Sequence, residues 1–237
     1  MSESYLSKKP IPDHERLIFA LDVPEADRAR ALVSELGDSV SFYKIGLELN
    51  MTGHYFELLD WLLELDKKVF VDLKFLDIPA TVARAVKRLD ARGATFATVH
   101  AVAAVLEAAT AAAANTGILA VTVLTSLGAT DLDEQDVSNL VLSRARDAAA
   151  TGCTGVVCSG LEAALLRQQL GSDLTIVAPG IRPQTYTRSD DQKRTVDVPT
   201  AFANGVDYIV VGRPIRDADD PAAAAEQVQK QIADTFA

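Results

Sequence analysis

Short apolar runs and longer stretches of helical spacing alternate along most of this chain. Leu17 to Leu21 predicts a first strand, closed by Asp22, and the Ala and Leu positions from Glu25 to Leu36 predict a helix opened by Val-Pro-Glu. The same pairing recurs. Strands are expected at Phe42 to Ile45, at Val69 to Phe75, at Thr95 to His100 and at Ile118 to Leu124. Their helices are expected at Tyr55 to Leu65, Ile78 to Arg92, Ala103 to Asn115 and Asn139 to Thr151, with Pro79 tolerated in a first turn. Gly155 to Cys158 with Leu161 to Leu170, Leu174 to Ala178 with Thr200 to Asn204, and Tyr208 to Val211 with Ala222 to Phe236 complete the series.

Eight strand-helix units, each about 25 to 30 residues long and without a composition break, predict an α/β chain folded as a single (β/α)8 TIM barrel over residues 16–237. Residues 1–15 read as a polar lead-in, with Pro10 and Pro12 discouraging regular structure. An open doubly wound sheet would normally carry a Gly-x-Gly-x-x-Gly turn after its first strand, and Leu21-Asp22-Val-Pro-Glu is unlike one. The segment Pro179 to Val198 exceeds ordinary βα connections and is rich in polar residues, which suits a functional lid better than a plain excursion.

Composition narrows the function classes. The chain has 237 residues, about half hydrophobic, and a formal net charge of −10, which disfavours nucleic-acid and anionic-membrane partners. Cys153 and Cys158 form neither a Cys-x-x-Cys pair nor a zinc pattern. The first ten residues lack an apolar signal core, and no stretch is long and apolar enough to span a bilayer, so a cytoplasmic location is expected.

The chemistry concentrates in Val69 to Thr81. Asp72 and Lys74 interrupt an apolar strand, and strand alternation places both on one face with α-carbons roughly 6 to 7 Å apart. Asp77 follows just past the strand end. Buried charges are costly unless paired or put to use; a structural salt bridge would explain one Asp-x-Lys, but other polar residues converge on the same rim. Asp22 ends strand one, Lys44 lies on strand two, His100 ends strand four, and Thr125 and Ser126 follow strand five. In a barrel these positions ring the C-terminal mouth, where active sites are built. Gly212 and Arg213 after the last strand suit close backbone approach and a guanidinium fork on phosphate, and Arg182 and Gln192 in the long loop are further donors. His100 reads as a structural histidine, and no second His or Cys is placed to make a metal site. Three aspartates could gather magnesium, but Lys44 and Lys74 among them can supply the compensating charge instead.

Asp72-x-Lys74-x-x-Asp77-Ile78-Pro79-x-Thr81, with Ala20-Leu21-Asp22, Lys44-Ile45-Gly46, Leu124-Thr125-Ser126, Pro179-Gly180-Ile181-Arg182 and Val211-Gly212-Arg213-Pro214, resembles the orotidine 5'-monophosphate decarboxylase family. Val-Thr-Val-Leu-Thr-Ser and Gly-Val-Val-Cys-Ser resemble its bacterial form. The resemblance implies decarboxylation of orotidine 5'-phosphate to uridine 5'-phosphate without cofactor or metal, by a homodimer of barrels that share their active sites. It further implies Lys74 as proton donor to C6, Asp72 against the substrate carboxylate, and Asp77 completing the charged array in the partner's site, which Ile78 and Thr81 line. Lys44 would link the array to the ribose, Asp22 would contact ribose hydroxyls, and Thr125 and Ser126 would meet the pyrimidine. Arg182, Gln192, Gly212 and Arg213 would serve the phosphate. A magnesium-dependent sugar-phosphate enzyme of related barrel type, or a catalytically dead nucleotide-binding barrel, are the alternatives; Lys44 and Ile78-Pro79-x-Thr81 favour the decarboxylase over the first, and intact Asp72, Lys74 and Asp77 count against the second.

Overall fold

Every strand of the chain has two sides to bury, and the structure satisfies both by closing the sheet on itself. In the computed structural model, which describes residues 4–127, 131, 136–183 and 194–237, eight parallel strands pair in sequence order and the eighth pairs with the first. They are β1 (Leu17–Ala20), β2 (Phe42–Gly46), β3 (Lys68–Phe75), β4 (Phe96–His100), β5 (Gly117–Val121), β6 (Gly155–Val157), β7 (Thr175–Ala178) and β8 (Tyr208–Val211). The helices around them are α1 (Ala26–Leu36), α2 (Leu47–Asn50), α3 (Tyr55–Glu64), α4 (Pro79–Asp90), α5 (Ala103–Ala112), α6 (Val137–Ala150), α7 (Ala163–Leu170), α8 (Val198–Ala203), α9 (Arg213–Arg216) and α10 (Pro221–Phe236). The expected (β/α)8 barrel is therefore the observed one.

Alternation along the strands sorts the core into two parts. Leu17, Phe19, Tyr43, Ile45, Val69, Val71, Ala97 and Val99 pack outward against the helices. Ile18, Ala20, Phe42, Phe70, Phe96, Leu119, Val177, Tyr208 and Val210 fill the barrel interior. Aromatic edges lock the lower layer, with Tyr208 set T-shaped against Phe42 and Phe96 at 5.9 and 5.4 Å between centroids. Gly155 is needed on β6 because a Cβ there would lie 2.0 Å from the Thr175 carbonyl oxygen of β7.

Several boundaries differ from the sequence reading. β5 stops at Val121 rather than Leu124: the Thr122 hydroxyl turns back onto the Val157 carbonyl at 2.8 Å, and Leu127 N–H closes a turn on Leu124 at 2.9 Å. Helices α2 and α9 are single turns whose period is too short to read from apolar spacing. The lead-in is also anchored. Ser7 and Lys9 donate to Asp207 at 2.5 and 2.9 Å, and Ile11 packs against the interior cluster. No helix among the described residues is long and apolar enough to cross a membrane.

Candidate active site

Following the interior columns upward leads from aromatic packing to charge. Phe42 is followed two residues later by Lys44, Phe70 by Asp72, Phe96 by Thr98 and then His100, and Ala20 by Asp22. Of these, Asp22, Lys44, Asp72 and Thr98 are joined in one row at the C-terminal mouth. Lys44 Nζ donates to Asp22 Oδ1 at 2.8 Å and lies 3.6 Å from Asp72 Oδ2. Lys74 Nζ donates to the same Asp72 oxygen at 2.9 Å, and Thr98 Oγ1 donates to the other, Oδ1, at 2.9 Å. Burial alone would raise the Asp72 carboxyl, but Lys44 and Lys74, with the hydrogen bonds from Lys74 and Thr98, hold it below the ordinary carboxylate range. Lys44 shows the mirror case: burial works against its charge, and Asp22 and Asp72 outweigh it, raising the ammonium above its usual value.

Asp72 and Lys74 do meet, as expected, but regular strand alternation is not the cause. Val71 pairs with Ala97 and Phe75 with Val99, so Asp72, Leu73 and Lys74 lie opposite Thr98 alone. This is a bulge, and Lys74 occupies the left-handed region at φ 48°. The bend swings Lys74 back over Asp72.

Asp77, Ile78 and Thr81 are not joined to that row. Asp77 is exposed and its Oδ1 accepts from Ile78 N–H at 2.6 Å, Ile78 is 65% exposed, and Thr81 Oγ1 accepts from Arg84 at 3.1 Å. Thr125 is buried and Ser126 half-buried, in the turn that follows β5. Arg182 extends from Gly180-Ile181, where Ile181 bridges Val196, and its Nη1 donates to the Ile181 carbonyl at 2.9 Å. Gln192 lies outside the described residues. Gly212 packs against β1, where a Cβ would come 3.2 Å from that of Ala20, and Arg213 opens α9. The half-buried His100 ring makes no hydrogen bond to another described residue, and burial, then the charges of Lys74 and Arg144, lower its pKa.

Three contributors were not singled out from the sequence. Thr98 holds both the bulge and the carboxylate. Arg216 Nη1 donates to the Asp22 carbonyl at 2.6 Å, tying the first strand end to the last. Arg194, within the long polar segment, pairs with Glu162 at 2.7 Å and donates to the carbonyls of Val123 and Leu124 at 3.1 and 3.0 Å, just before Thr125 and Ser126. A threonine in an apolar strand and an arginine in a polar loop carry little signal before the fold is known.

A closed (β/α)8 barrel whose C-terminal mouth carries an interlocked row of two lysines and two aspartates defines a class: barrel enzymes with their polar groups gathered at that rim. Comparison with known proteins narrows it. The model of the Orotidine 5'-phosphate decarboxylase / HUMPS family matches residues 15–228, and the chain belongs to that family. It is 59% identical over 238 residues to orotidine 5'-phosphate decarboxylase of Methylococcus capsulatus, covering 99% of this chain and 98% of the relative. Identity to the enzyme of that name from Xanthomonas euvesicatoria is 54%, covering 96% of each chain. Among solved structures, orotidine 5'-phosphate decarboxylase from Lactobacillus acidophilus superposes with a TM-score of 0.80 at 34% identity, over 92% of this chain and 99% of that one.

Proposed function

We propose that this barrel decarboxylates orotidine 5'-phosphate to uridine 5'-phosphate in pyrimidine biosynthesis, through a C6 carbanion that Lys74 protonates. The reaction rests on family membership and on near-full-length identity to relatives that bear the decarboxylase name. The observation that carries the mechanism is the Asp72 carboxylate held between Lys74 at 2.9 Å and Lys44 at 3.6 Å. Cleavage of the C6–carboxylate bond leaves its electron pair at C6 as CO2 departs. An ammonium placed there stabilises that charge and then gives C6 a proton; solvent restores the proton to the lysine.

Asp22 and Lys44 are assigned to the ribose side and Thr125 and Ser126 to the pyrimidine. Arg182, Gly212, Arg213 and Gln192 are assigned to the phosphate, whose binding energy is remote from the reacting carbon and available to organise the site. We assign Asp77, Ile78 and Thr81 to the site of a second copy in a homodimer. Their separation from their own charged row, and the exposed Leu76, Ile78 and Val102 at 61, 65 and 46%, support that role. The buried thiols Cys153 and Cys158, neither in a disulfide, suit a reducing cytoplasm.

A magnesium-dependent sugar-phosphate reaction is the competing reading within the broader family. Lys44 favours the decarboxylase, because its ammonium lies between Asp22 and Asp72 where a cation would otherwise compensate them. The deciding assay follows the absorbance of orotidine 5'-phosphate in the presence of EDTA. Undiminished loss of absorbance is expected; turnover only after magnesium is restored would overturn the assignment.

A further inference from the structure

We propose that Thr98 is a positioning residue that holds Asp72 and Lys74 in their working geometry, so that its hydroxyl sets turnover rather than substrate affinity. This inference rests on the roles assigned above to Lys74 and Asp72. It begins with the register of the sheet: three residues of β3, Asp72, Leu73 and Lys74, stand opposite this one residue of β4. A bulge of that kind removes backbone partners, and the Lys74 amide takes a side-chain acceptor instead, donating to Thr98 Oγ1 at 2.9 Å. The same hydroxyl spends its single proton on Asp72 Oδ1, also at 2.9 Å.

The direction of these bonds matters. A hydroxyl that accepts from an amide and donates to a carboxyl oxygen fixes the orientation of both, and it favours an ionised Asp72 because a charged oxygen accepts more strongly than the carbonyl of the protonated acid. With Oδ1 engaged, Oδ2 is the oxygen offered to Lys74 Nζ and Lys44 Nζ. Lys74 needs such support. A non-glycine residue in the left-handed region is strained and persists only where its surroundings determine it. Thr98 is fully buried, so this hydroxyl is locked in place by packing and water does not replace it. Its place on β4, two residues above Phe96 of the interior cluster, sets it directly opposite the bulged stretch that carries Asp72 and Lys74.

The test compares Thr98→Val, which keeps the shape and deletes the hydroxyl, with Thr98→Ser, which keeps the hydroxyl. Uridine 5'-phosphate titrated by calorimetry counts the competent sites in each preparation. Per competent site, Thr98→Val is expected to lower kcat by tenfold or more while KM and product affinity stay within about twofold, and Thr98→Ser is expected to stay within about threefold of wild type in kcat. Thr98→Ala is the second hydroxyl-free variant should the valine protein not fold. Wild-type kcat in a hydroxyl-free variant, or equal losses in the valine and serine variants, would overturn the proposal. Lys74→Ala in the same assay separates the two levels. If it turns over normally, the assignment of Lys74 and the role of Thr98 both fall. If it is inactive while Thr98→Val is normal, only the Thr98 role falls.

Discussion

The ammonium of Lys44 lies 3.6 Å from Asp72 Oδ2, the same oxygen that Lys74 holds at 2.9 Å. One carboxylate therefore serves two cations, and its charge depends on both. Burial opposes that charge and the two lysines overcome it, leaving the folded carboxyl below its ordinary value of 3.8. A depressed carboxyl contributes stability that is present above the unfolded value and is lost as pH falls through the folded one. Unfolding of wild type and Asp72→Asn, followed from neutral pH to about pH 3, should show the wild type losing stability relative to the variant only below about pH 4. Parallel curves through that window would mean that the pairing leaves Asp72 unshifted.

Arg213 tests the phosphate assignment. Arg213→Ala should weaken uridine 5'-phosphate by roughly 10- to 150-fold, the loss of a charge-assisted contact, and uridine far less. Calorimetry or competition assays on the two ligands provide the comparison. Equal losses would place Arg213 away from the phosphate.

Sharing of Asp77 between subunits predicts complementation. Lys74→Ala and Asp77→Asn should each be nearly inactive alone. After unfolding and refolding together, half the dimers carry both chains, and one of their two sites joins an intact Lys74 to an intact Asp77. Activity near about a quarter of wild type is expected. No recovery, in a mixture shown to have exchanged subunits, would contradict a shared site.

The Arg194 pair with Glu162 is a structural clamp beneath the turn that carries Thr125 and Ser126. Both side chains are nearly buried, and burial raises the Glu162 carboxyl despite the opposing Arg194 charge. Arg194→Met strands that acid and frees two carbonyls, so urea unfolding should show a loss of about 3 to 5 kcal/mol. The double variant Arg194→Met/Glu162→Leu should recover a large part of it, because a matched apolar pair carries no desolvation cost. A double variant no more stable than the single one would show that the carbonyl contacts, rather than the charges, dominate.

How much of this was legible in the sequence depends on whether the information is local. The barrel was, because each strand buries both faces and each helix keeps its apolar stripe. Asp22, Lys44, Asp72 and Lys74 were also legible, because charge at the end of an apolar strand is costly without a partner. The bulge was not: Leu73 and Lys74 carry no glycine or proline to mark it, and the acceptor that takes its displaced amide, Thr98, lies on another strand. Thr98 itself is one polar residue in Phe96-Ala-Thr-Val-His100, and only its hydrogen bonds to Asp72 and Lys74 across the strand pair give it meaning. The shortening of β5 likewise depends on the Val157 carbonyl, contributed by a neighbouring strand.

The central claim is that Lys74 gives its proton to C6, and Lys74→Ala tests it most directly. Single-turnover decarboxylation of orotidine 5'-phosphate by this variant, with uridine 5'-phosphate binding measured on the same preparation, separates chemistry from folding. A fall in rate of roughly 10³-fold or more with product binding retained is the predicted result. A rate within about tenfold of wild type at full binding would contradict it and assign the proton to another group.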